Sequence, residues 1–210
     1  MNNAKRLVIL GFGGHARSIG DVALACGFKE LLFVDENAHE GEHFLHFPAM
    51  KSWDTSLTLP AHWLAFPGSG DNIRRRHQCD EILSCGFQLA TLVAPTASIG
   101  VDCKLDEGCF VGHQAHIGPM ARIGKGCIVN TGAIIEHECV VGKFTHVSVN
   151  ATIAGRSRLG SFAMLGAGAT IIDGIDVCDH VTIGAGGVVH RSIAEPAVFV
   201  GVPAHKLNSR

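Results

Sequence analysis

The sequence predicts two folds in series: a small α/β domain with a Rossmann-like parallel sheet, then a parallel β-helix of hexapeptide repeats. Two observations support this prediction. Residues 1–90 alternate short apolar runs with glycine turns and helical segments, which is the pattern of a parallel α/β unit. From Val93 to Val189 an aliphatic residue recurs every six positions without an insertion, which is the signature of a solenoid.

The α/β domain is predicted to span residues 1–90. A strand LVIL precedes the turn GFGGHAR and a helix through Ala25, and a second strand LLFVD follows. The segment HWLAF is predicted to be another strand, and PGSGDNIRRRHQCDEIL a turn and a helix. Residues 36–60 are expected to form a loop with a short irregular link. Because ligands bind beyond the carboxyl ends of parallel strands, the two glycine turns mark a candidate binding site.

The glycine turns are suited to phosphate groups. Gly13, Gly14 and His15 lie on one turn and Gly68 on the other, and glycines there let backbone N–H groups at a helix N-terminus approach an anion. Asp35 ends the second strand about 20 residues later, where an acidic residue often meets a ribose. Two alternatives remain open. The glycines could serve the turns alone, and the three arginines at 74–76 could steer a diphosphate or form a solvated helix face.

The hexads predict the β-helix in detail. Three hexads make one triangular coil, the aliphatic side chains stack inward, and each strand pairs with the coils above and below at about 4.8 Å. The residue two places before each aliphatic is usually small, and four of the eight cysteines occupy this slot. A β-sandwich would show a period of two and irregular spacing, which the sequence lacks. Because there is no CxxC pair, the cysteines are predicted to be structural thiols, and no metal site is expected.

A polar cluster interrupts the ladder in the stretch NTGAIIEHECVVGKFTHVSVNATIAG. Residues 18 apart should lie side by side on successive coils, which places His137 beside Gly155. A histidine beside carboxylates can act as a general base, and a backbone N–H can donate to an oxyanion, which are the two groups that acyl transfer requires. His137 is the predicted base and the Gly155 N–H the predicted donor. Glu138 or Glu136 is expected to orient the imidazole.

Charge and hydropathy disfavour several other classes of protein. A net charge of -2 and a pI near 6.7 provide no basic surplus for nucleic acid. No apolar stretch reaches membrane-spanning length, and the N-terminal one is too short and too rich in glycine for a secretory signal. We therefore expect a cytoplasmic protein. A nicotinamide-dependent oxidoreductase is disfavoured because the first domain is too small.

The motifs GFGGHAR, GAGATI, IGAGGVV and GVPAHKL, together with the EHE cluster, resemble the bacterial sugar acyltransferases of the sialic acid O-acetyltransferase type. The chain is similar in particular to the nucleotide-sugar N-acetyltransferases of the bacillosamine pathway, which are hexapeptide-repeat transferases. The resemblance covers nearly the whole chain. It implies a left-handed β-helix over residues 91–195, a C-terminal tail over residues 196–210, and a homotrimer with acetyl-CoA between neighbouring β-helices.

The resemblance also implies a role for each matching position. It makes His137 the general base and Glu138 its carboxylate partner. The implied acetyl-CoA contacts are His146, Gly155, Ala167, Ala185 and Lys206. The implied nucleotide-sugar contacts are Gly13, Gly14, His15, Arg17, Asp35, Glu36, Gly68 and Asn130.

These roles predict an acetyl-CoA-dependent N-acetyltransferase that acts on the 4-amino group of a UDP-linked 4-amino-4,6-dideoxy sugar. Two alternatives remain. A sugar O-acetyltransferase of the sialic acid type could use the same base and oxyanion donor on a hydroxyl group. A non-catalytic, nucleotide-binding trimer would be expected to have lost the base, and the presence of His137 and Glu138 argues against it.

Overall fold

The computed structural model describes residues 5–52 and 63–207. The chain divides into two compact units, residues 1–92 and 93–210, and their architectures confirm the predicted fold class. The predicted domain boundaries stay predictions. The predicted first domain and C-terminal tail also include residues that lie outside the described ranges, namely 1–4, 53–62 and 208–210.

The first unit is a six-stranded sheet with two helices. Its elements are β1 (Lys5–Leu10), α1 (Gly14–Ala25), β2 (Phe28–Val34), β3 (His43–Phe44), β4 (Phe47–Met50), β5 (Trp63–Pro67), α2 (Asn72–Ser84) and β6 (Gln88–Leu89). The strand order is β3-β4-β2-β1-β5-β6, and all neighbours are parallel except β3 and β4. In the central strand β1, Leu7, Val8 and Ile9 are fully buried. The run LVIL is apolar throughout because a central parallel strand is covered on both faces.

One segment of the first unit differs from its prediction. Residues 43–50 form the antiparallel β3–β4 hairpin rather than a loop, and β4 joins the sheet beside β2. The hairpin buries Phe47 and packs the Phe44 ring edge-to-face on Phe33, with ring centroids 5.8 Å apart. The strands are too short to show a hydrophobic period in the sequence. Packing of the Phe44 and Phe47 rings against the sheet stabilises the hairpin instead.

The second unit is a parallel β-helix whose strands are two residues long. They are β7 (Leu92–Val93), β8 (Ser98–Ile99), β9 (Lys104–Leu105), β10 (Phe110–Val111), β11 (His116–Ile117), β12 (Arg122–Ile123), β13 (Ile128–Val129), β14 (Ile134–Ile135), β15 (Val140–Val141), β16 (His146–Val147), β17 (Thr152–Ile153), β18 (Arg158–Leu159), β19 (Met164–Leu165), β20 (Thr170–Ile171), β21 (Asp176–Val177), β22 (Thr182–Ile183) and β23 (Val188–Val189). A closing hairpin adds β24 (Val198–Val200) and β25 (His205–Lys206).

These strands form three sheets, one for each side of the triangular coil. The first contains β7, β10, β13, β16, β19 and β22 and is extended by the closing hairpin. The second runs from β8 to β23 and the third from β9 to β21, each taking every third strand. Ile117 pairs with Ile135, and Ile135 with Ile153, and all three are fully buried. The register of one coil per 18 residues is therefore confirmed, and the second residue of each strand builds the core.

The corners between strands are two-residue turns. From Asp102 to Gly186, every sixth residue is the second residue of such a turn and has a positive φ. Glu138, with φ of 60°, is one of the non-glycine residues in this conformation, which costs energy and must be held by its surroundings. Its N–H donates to the carbonyl of Pro119 at 2.9 Å, one coil earlier. Corner residues of successive coils therefore stack in columns.

On several coils, the small residue two places before the aliphatic has a side chain that donates a hydrogen bond. The thiols of Cys109, Cys127 and Cys139 donate to backbone carbonyls 14 to 15 residues later, at 3.2, 3.0 and 3.1 Å for the shortest bond of each. All three cysteines are buried and none forms a disulfide. Burial raises the pKa of the Cys109 and Cys139 thiols. These cysteines are structural, as the repeat predicts.

Candidate functional site

His137 and Glu138 form one corner of the β-helix, between β14 and β15. The imidazole Nδ1 lies 3.2 Å from Glu138 Oε1, and the two side chains are 38% and 46% exposed. The choice left open between Glu136 and Glu138 therefore goes to Glu138, the carboxylate that contacts the ring. A carboxylate at Nδ1 favours the tautomer with hydrogen on Nδ1, which leaves Nε2 as an acceptor.

Gly155 lies directly against the imidazole on the next coil. A Cβ atom built on Gly155 would stand 2.5 Å from His137 Nε2 and 2.6 Å from Cε1, so a side chain at this position would displace the ring. The Gly155 carbonyl accepts the N–H of Gly174 at 3.0 Å. Its own N–H donates no hydrogen bond within residues 5–52 and 63–207. A base and an unused backbone donor are thus side by side.

Asp173 is an additional member of this corner that the sequence analysis missed. Its Oδ1 would be 3.0 Å from a Cβ on Gly155, and its Oδ2 accepts from the Arg156 guanidinium at 2.8 Å. A count of 18 residues from Gly155 would have found it. The column His137, Gly155, Asp173 therefore places an imidazole, an open backbone position and a carboxylate on three successive coils.

Asn130 and His146 form a second polar group on a different corner. Asn130 Nδ2 lies 3.3 Å from His146 Nε2, and the His146 side chain is buried on β16 between Ile128 and Met164. Asn130 precedes the turn before β14, whereas His137 follows β14. The two groups belong to different corners of the same coil. One chain therefore does not bring His137, the predicted base, together with the predicted contacts Asn130 and His146.

The other predicted acetyl-CoA contacts lie towards the C-terminal end of the β-helix. Ala167 and Ala185 are exposed on the corner that follows the first sheet, with Gly186 N–H donating to the Ala167 carbonyl at 2.9 Å. Lys206 pairs with Glu195 at 2.9 Å and lines a cavity of about 510 Å³. The basic residues of that cavity are His190, Arg191, His205 and Lys206.

The first unit has its own cavity of about 630 Å³ at the carboxyl ends of β1, β2 and β5. Six predicted substrate contacts line it: Gly13, Gly14, His15, Asp35, Glu36 and Gly68. Arg17 does not line it, because its guanidinium lies 4.6 Å from the Phe12 ring centroid and 3.7 Å from Glu42 Oε1. Asn130 belongs to the second unit. Lining residues absent from the prediction include Lys51, Ser52, His77, Gln78 and Glu81, and Arg74 is one of the three arginines for which steering of a diphosphate was left open.

The glycine turns shape this cavity. Helix α1 begins after Gly13 without a side-chain cap, so the first backbone N–H groups of the helix remain open to an anion. Gly68 approaches the neighbouring strand so closely that a Cβ atom would lie 2.5 Å from the Leu10 carbonyl oxygen. Gly11 has a φ of 118°, which glycine alone adopts without strain.

Asp35 holds the turn after β1 in place. Its Oδ2 accepts the Phe12 N–H at 2.8 Å, and its Oδ1 accepts the Asn37 N–H at 2.9 Å. Partial burial raises the pKa of the Asp35 carboxyl, but the hydrogen bonds from Asn37 and Phe12 and the charge of Arg74 outweigh it, so that the pKa is lowered overall. The carboxylate therefore stays ionised at neutral pH, with both oxygens bonded to the loops that line the cavity.

The three consecutive arginines of α2 have three different roles. Arg75 is 1% exposed and donates to the Gly70 carbonyl at 3.1 Å. Arg76 pairs with Asp80 at 3.4 Å on the outer face of the helix. Only Arg74 of the three lines the cavity, and it lies 4.0 Å from Glu36. One cation of the triplet is thus available to a bound anion.

Within the described part of the chain, no three His, Cys, Asp or Glu side chains are grouped so as to hold a metal ion. Neither described helix is long and apolar enough to cross a membrane.

Part of the chain matches a known protein family. Residues 6–82 match the family model of the PglD N-terminal domain. This range includes both glycine turns and every residue that lines the front cavity. A search of curated protein sequences finds no significant match.

Solved structures resemble the whole chain. The acetyltransferase domain of PglB from Neisseria gonorrhoeae, in complex with acetyl coenzyme A, is 28% identical and covers 98% of this chain and 100% of that one, with a TM-score of 0.91. PerB from Caulobacter crescentus, in complex with CoA and GDP-perosamine, is 29% identical over 96% of this chain and 97% of that one, with a TM-score of 0.87. WeeI from Acinetobacter baumannii, at 16% identity, 97% and 100% coverage and a TM-score of 0.66, shows the fold alone.

The family match and the structural matches agree with the resemblance seen in the sequence. The family match is confined to the first unit, whereas the PglB and PerB structures extend over both units. The first unit therefore resembles the PglD N-terminal domain, and the chain is an acetyltransferase with the hexapeptide-repeat fold.

Proposed function

We propose that the protein is an acetyl-CoA-dependent N-acetyltransferase that acts on the 4-amino group of a nucleotide-linked 4-amino-4,6-dideoxy sugar. The observation that carries this proposal is the corner at His137, where Nδ1 faces Glu138 and Nε2 lies against Gly155. The PglB domain with acetyl coenzyme A and PerB with CoA and GDP-perosamine support the two kinds of substrate.

In this proposal His137 is the general base. As the sugar amine attacks the thioester carbonyl carbon and the C–N bond forms, Nε2 accepts the proton that the nitrogen loses. The Glu138 carboxylate, 3.2 Å from Nδ1, stabilises the imidazolium. The enzyme needs no nucleophile of its own, because holding two substrates in contact makes direct transfer efficient.

The Gly155 N–H is the proposed oxyanion donor. It stabilises the negative oxygen of the tetrahedral intermediate. One such donor typically raises kcat by about 10²- to 10³-fold, which corresponds to about 3 kcal/mol of transition-state stabilisation. Collapse of the intermediate breaks the C–S bond. The imidazolium of His137 then returns its proton to the departing thiolate, so that CoA leaves as a thiol and the base is neutral again.

The remaining acetyl-CoA contacts are proposed to come from another corner. Ala167 and Ala185 offer an exposed, small-residue surface for the pantetheine arm, and the basic cavity around Lys206 suits a phosphate group. Because this surface and His137 lie on different corners, we propose that a neighbouring copy in a homotrimer completes each site.

The front cavity is proposed to hold the nucleoside diphosphate. Its volume of about 630 Å³ lies in the range of small-molecule sites, about 300–1,000 Å³. The uncapped start of α1 and the Arg74 guanidinium would face the phosphates. UDP is the first candidate from the sequence resemblance, and GDP is the second because PerB is similar and its structure holds GDP-perosamine. We place the reaction in the cytoplasm.

The experiment that tests this function measures thiol release from acetyl-CoA with a panel of acceptors. The panel contains UDP-, GDP- and dTDP-linked 4-amino-4,6-dideoxy sugars and, for each, the matched sugar with a 4-hydroxyl group. Turnover with an amino sugar and its absence with the hydroxyl partner would support N-acetylation and name the nucleotide. Turnover with hydroxyl sugars alone would make the protein an O-acetyltransferase. Nucleotide binding without turnover on any acceptor would favour the non-catalytic alternative.

Substitution of Glu138 tests its proposed role beside the base. Glu138→Gln keeps an oxygen that can accept from Nδ1–H but removes the negative charge, so we expect kcat to fall about tenfold, in line with the loss of one charge-assisted hydrogen bond. The kcat of Glu138→Ala should fall further, because the imidazole ring then loses the side chain that orients it as well. Steady-state kinetics of both variants check this order. If both variants matched the wild type in kcat, Glu138 would have no part in the reaction.

A further inference from the structure

We infer that Gln78 is a positioning residue for nucleotide binding, which ties the two phosphate-facing loops of the front cavity into one rigid site. This inference rests on the proposed function, since it concerns the cavity assigned above to the nucleoside diphosphate. Gln78 lies on α2 and lines that cavity. Its role follows from where its two polar atoms are bonded.

The Gln78 amide bridges the loops that follow β1 and β5. Its Nε2 donates to the Leu10 carbonyl at 2.8 Å, and its Oε1 accepts the Ser69 N–H at 2.9 Å. Leu10 is the last residue of β1, and Ser69 follows the end of β5 by two residues. One side chain therefore satisfies a backbone acceptor on one loop and a backbone donor on the other.

This bridge acts where the two loops are also bonded directly to each other. The Leu10 carbonyl also accepts the Gly68 N–H at 2.7 Å. This oxygen is therefore bonded to the second loop directly through Gly68 and indirectly through Gln78. A Cβ on Gly11 would stand 3.8 Å from Gln78 Nε2, which places the amide against the start of the turn that leads to Gly13 and Gly14. Without the bridge, the Gly68 N–H bond to Leu10 would still join the two loops. Asp35 and Arg75 would each hold one loop separately.

The geometry separates Gln78 from the groups that would touch the nucleotide. Both of its polar ends are occupied by protein backbone, so it acts through the loops. Glutamine is the residue type that fits, because it offers a donor and an acceptor on one planar group. A glutamate here would keep the acceptor for Ser69 N–H but would set an oxygen against the Leu10 carbonyl oxygen. It would also add a negative charge to a cavity intended for a diphosphate.

The test compares Gln78→Met, Gln78→Glu and the wild type by calorimetric titration with UDP and GDP and by steady-state kinetics. Gln78→Met keeps the size of the side chain and removes both hydrogen bonds, which should weaken nucleotide binding on the order of tenfold. Gln78→Glu should weaken it more. The KM for the nucleotide sugar should rise in parallel, while kcat at saturation and the KM for acetyl-CoA stay at wild-type values. Gln88→Met is the matched control, since Gln88 is exposed on β6 and does not line the cavity.

The outcomes distinguish this inference from the function on which it rests. Wild-type Kd and KM values in both Gln78 variants, with or without a lower Tm, would mean that the bridge is merely structural and would overturn the inference alone. A fall in kcat without a change in the KM for the nucleotide sugar would overturn it as well. Failure of the wild type to bind any nucleotide would overturn the proposed function of the cavity and the inference with it.

Discussion

Replacing His137 by alanine lowers kcat for acetyl transfer by about 10²- to 10⁴-fold, the loss expected when a general base is removed. The KM values for both substrates should stay near those of the wild type, because the proposed binding contacts lie elsewhere. The imidazole is 38% exposed on a corner turn, so its removal leaves no buried cavity and the β-helix should fold unchanged. Thiol release from acetyl-CoA at saturating concentrations of both substrates measures the effect.

His39→Ala provides the matched control for this substitution. His39 is an exposed histidine of the first unit that does not line the front cavity, so kcat of this variant should equal that of the wild type. The mechanism proposed here does not survive if His137→Ala turns over as fast as the wild type.

Gly155→Ala should also abolish most of the activity, although it adds a single methyl group. The new Cβ would stand 2.5 Å from His137 Nε2, well inside contact distance, so the imidazole must move away from the Gly155 N–H. A displacement of about 1 Å at a reacting group can cost about 10²-fold in rate, and we expect a fall in kcat of at least this order. The φ of Gly155 is not positive, so alanine strains no backbone angle and the fold should be retained.

Gly174→Asn is the control for a larger residue on the same corner. Gly174 lies one coil after Arg156, the residue next to Gly155. A Cβ there meets nothing within 4 Å, and its φ of 68° is one that asparagine tolerates. Wild-type kcat in Gly174→Asn beside a strong loss in Gly155→Ala would assign the effect to the displaced imidazole. Full activity in Gly155→Ala would instead show that the ring and the Gly155 N–H need not be adjacent.

The β-helix could be predicted closely from the sequence because its geometry is a count. Seventeen hexads without an insertion place every residue on a known side of a known coil, and the approach of His137 to Gly155 follows from their separation alone. The choice between Glu136 and Glu138 could not be made in that way. It depends on the direction of the side chains in the turn, which brings Glu138 Oε1 to 3.2 Å from His137 Nδ1 and which a hydrophobic period does not encode.

The first unit was predictable in its elements and much less so in its side-chain contacts. Three adjacent arginines look equivalent in a sequence, yet the rotation of α2 buries Arg75 and directs Arg74 to the cavity. Gln78 gave no signal, because its importance comes from carbonyl and N–H groups on two strands distant in sequence. Such roles depend on tertiary packing, which local patterns do not record.

The corner column that joins His137 to Gly155 also constrains how the length of this chain can vary. Inserting six residues between them would preserve the hexad core but would move Gly155 to the next corner of the triangle, away from the imidazole. Inserting 18 residues would restore the corner and put a new residue against His137. Gly155 would then lie one coil, or about 4.8 Å, farther from the imidazole than it does now. Whole hexads added outside this interval would leave the pair untouched. Natural insertions and deletions in proteins of this kind should therefore avoid the single coil between the proposed base, His137, and the proposed oxyanion donor, Gly155.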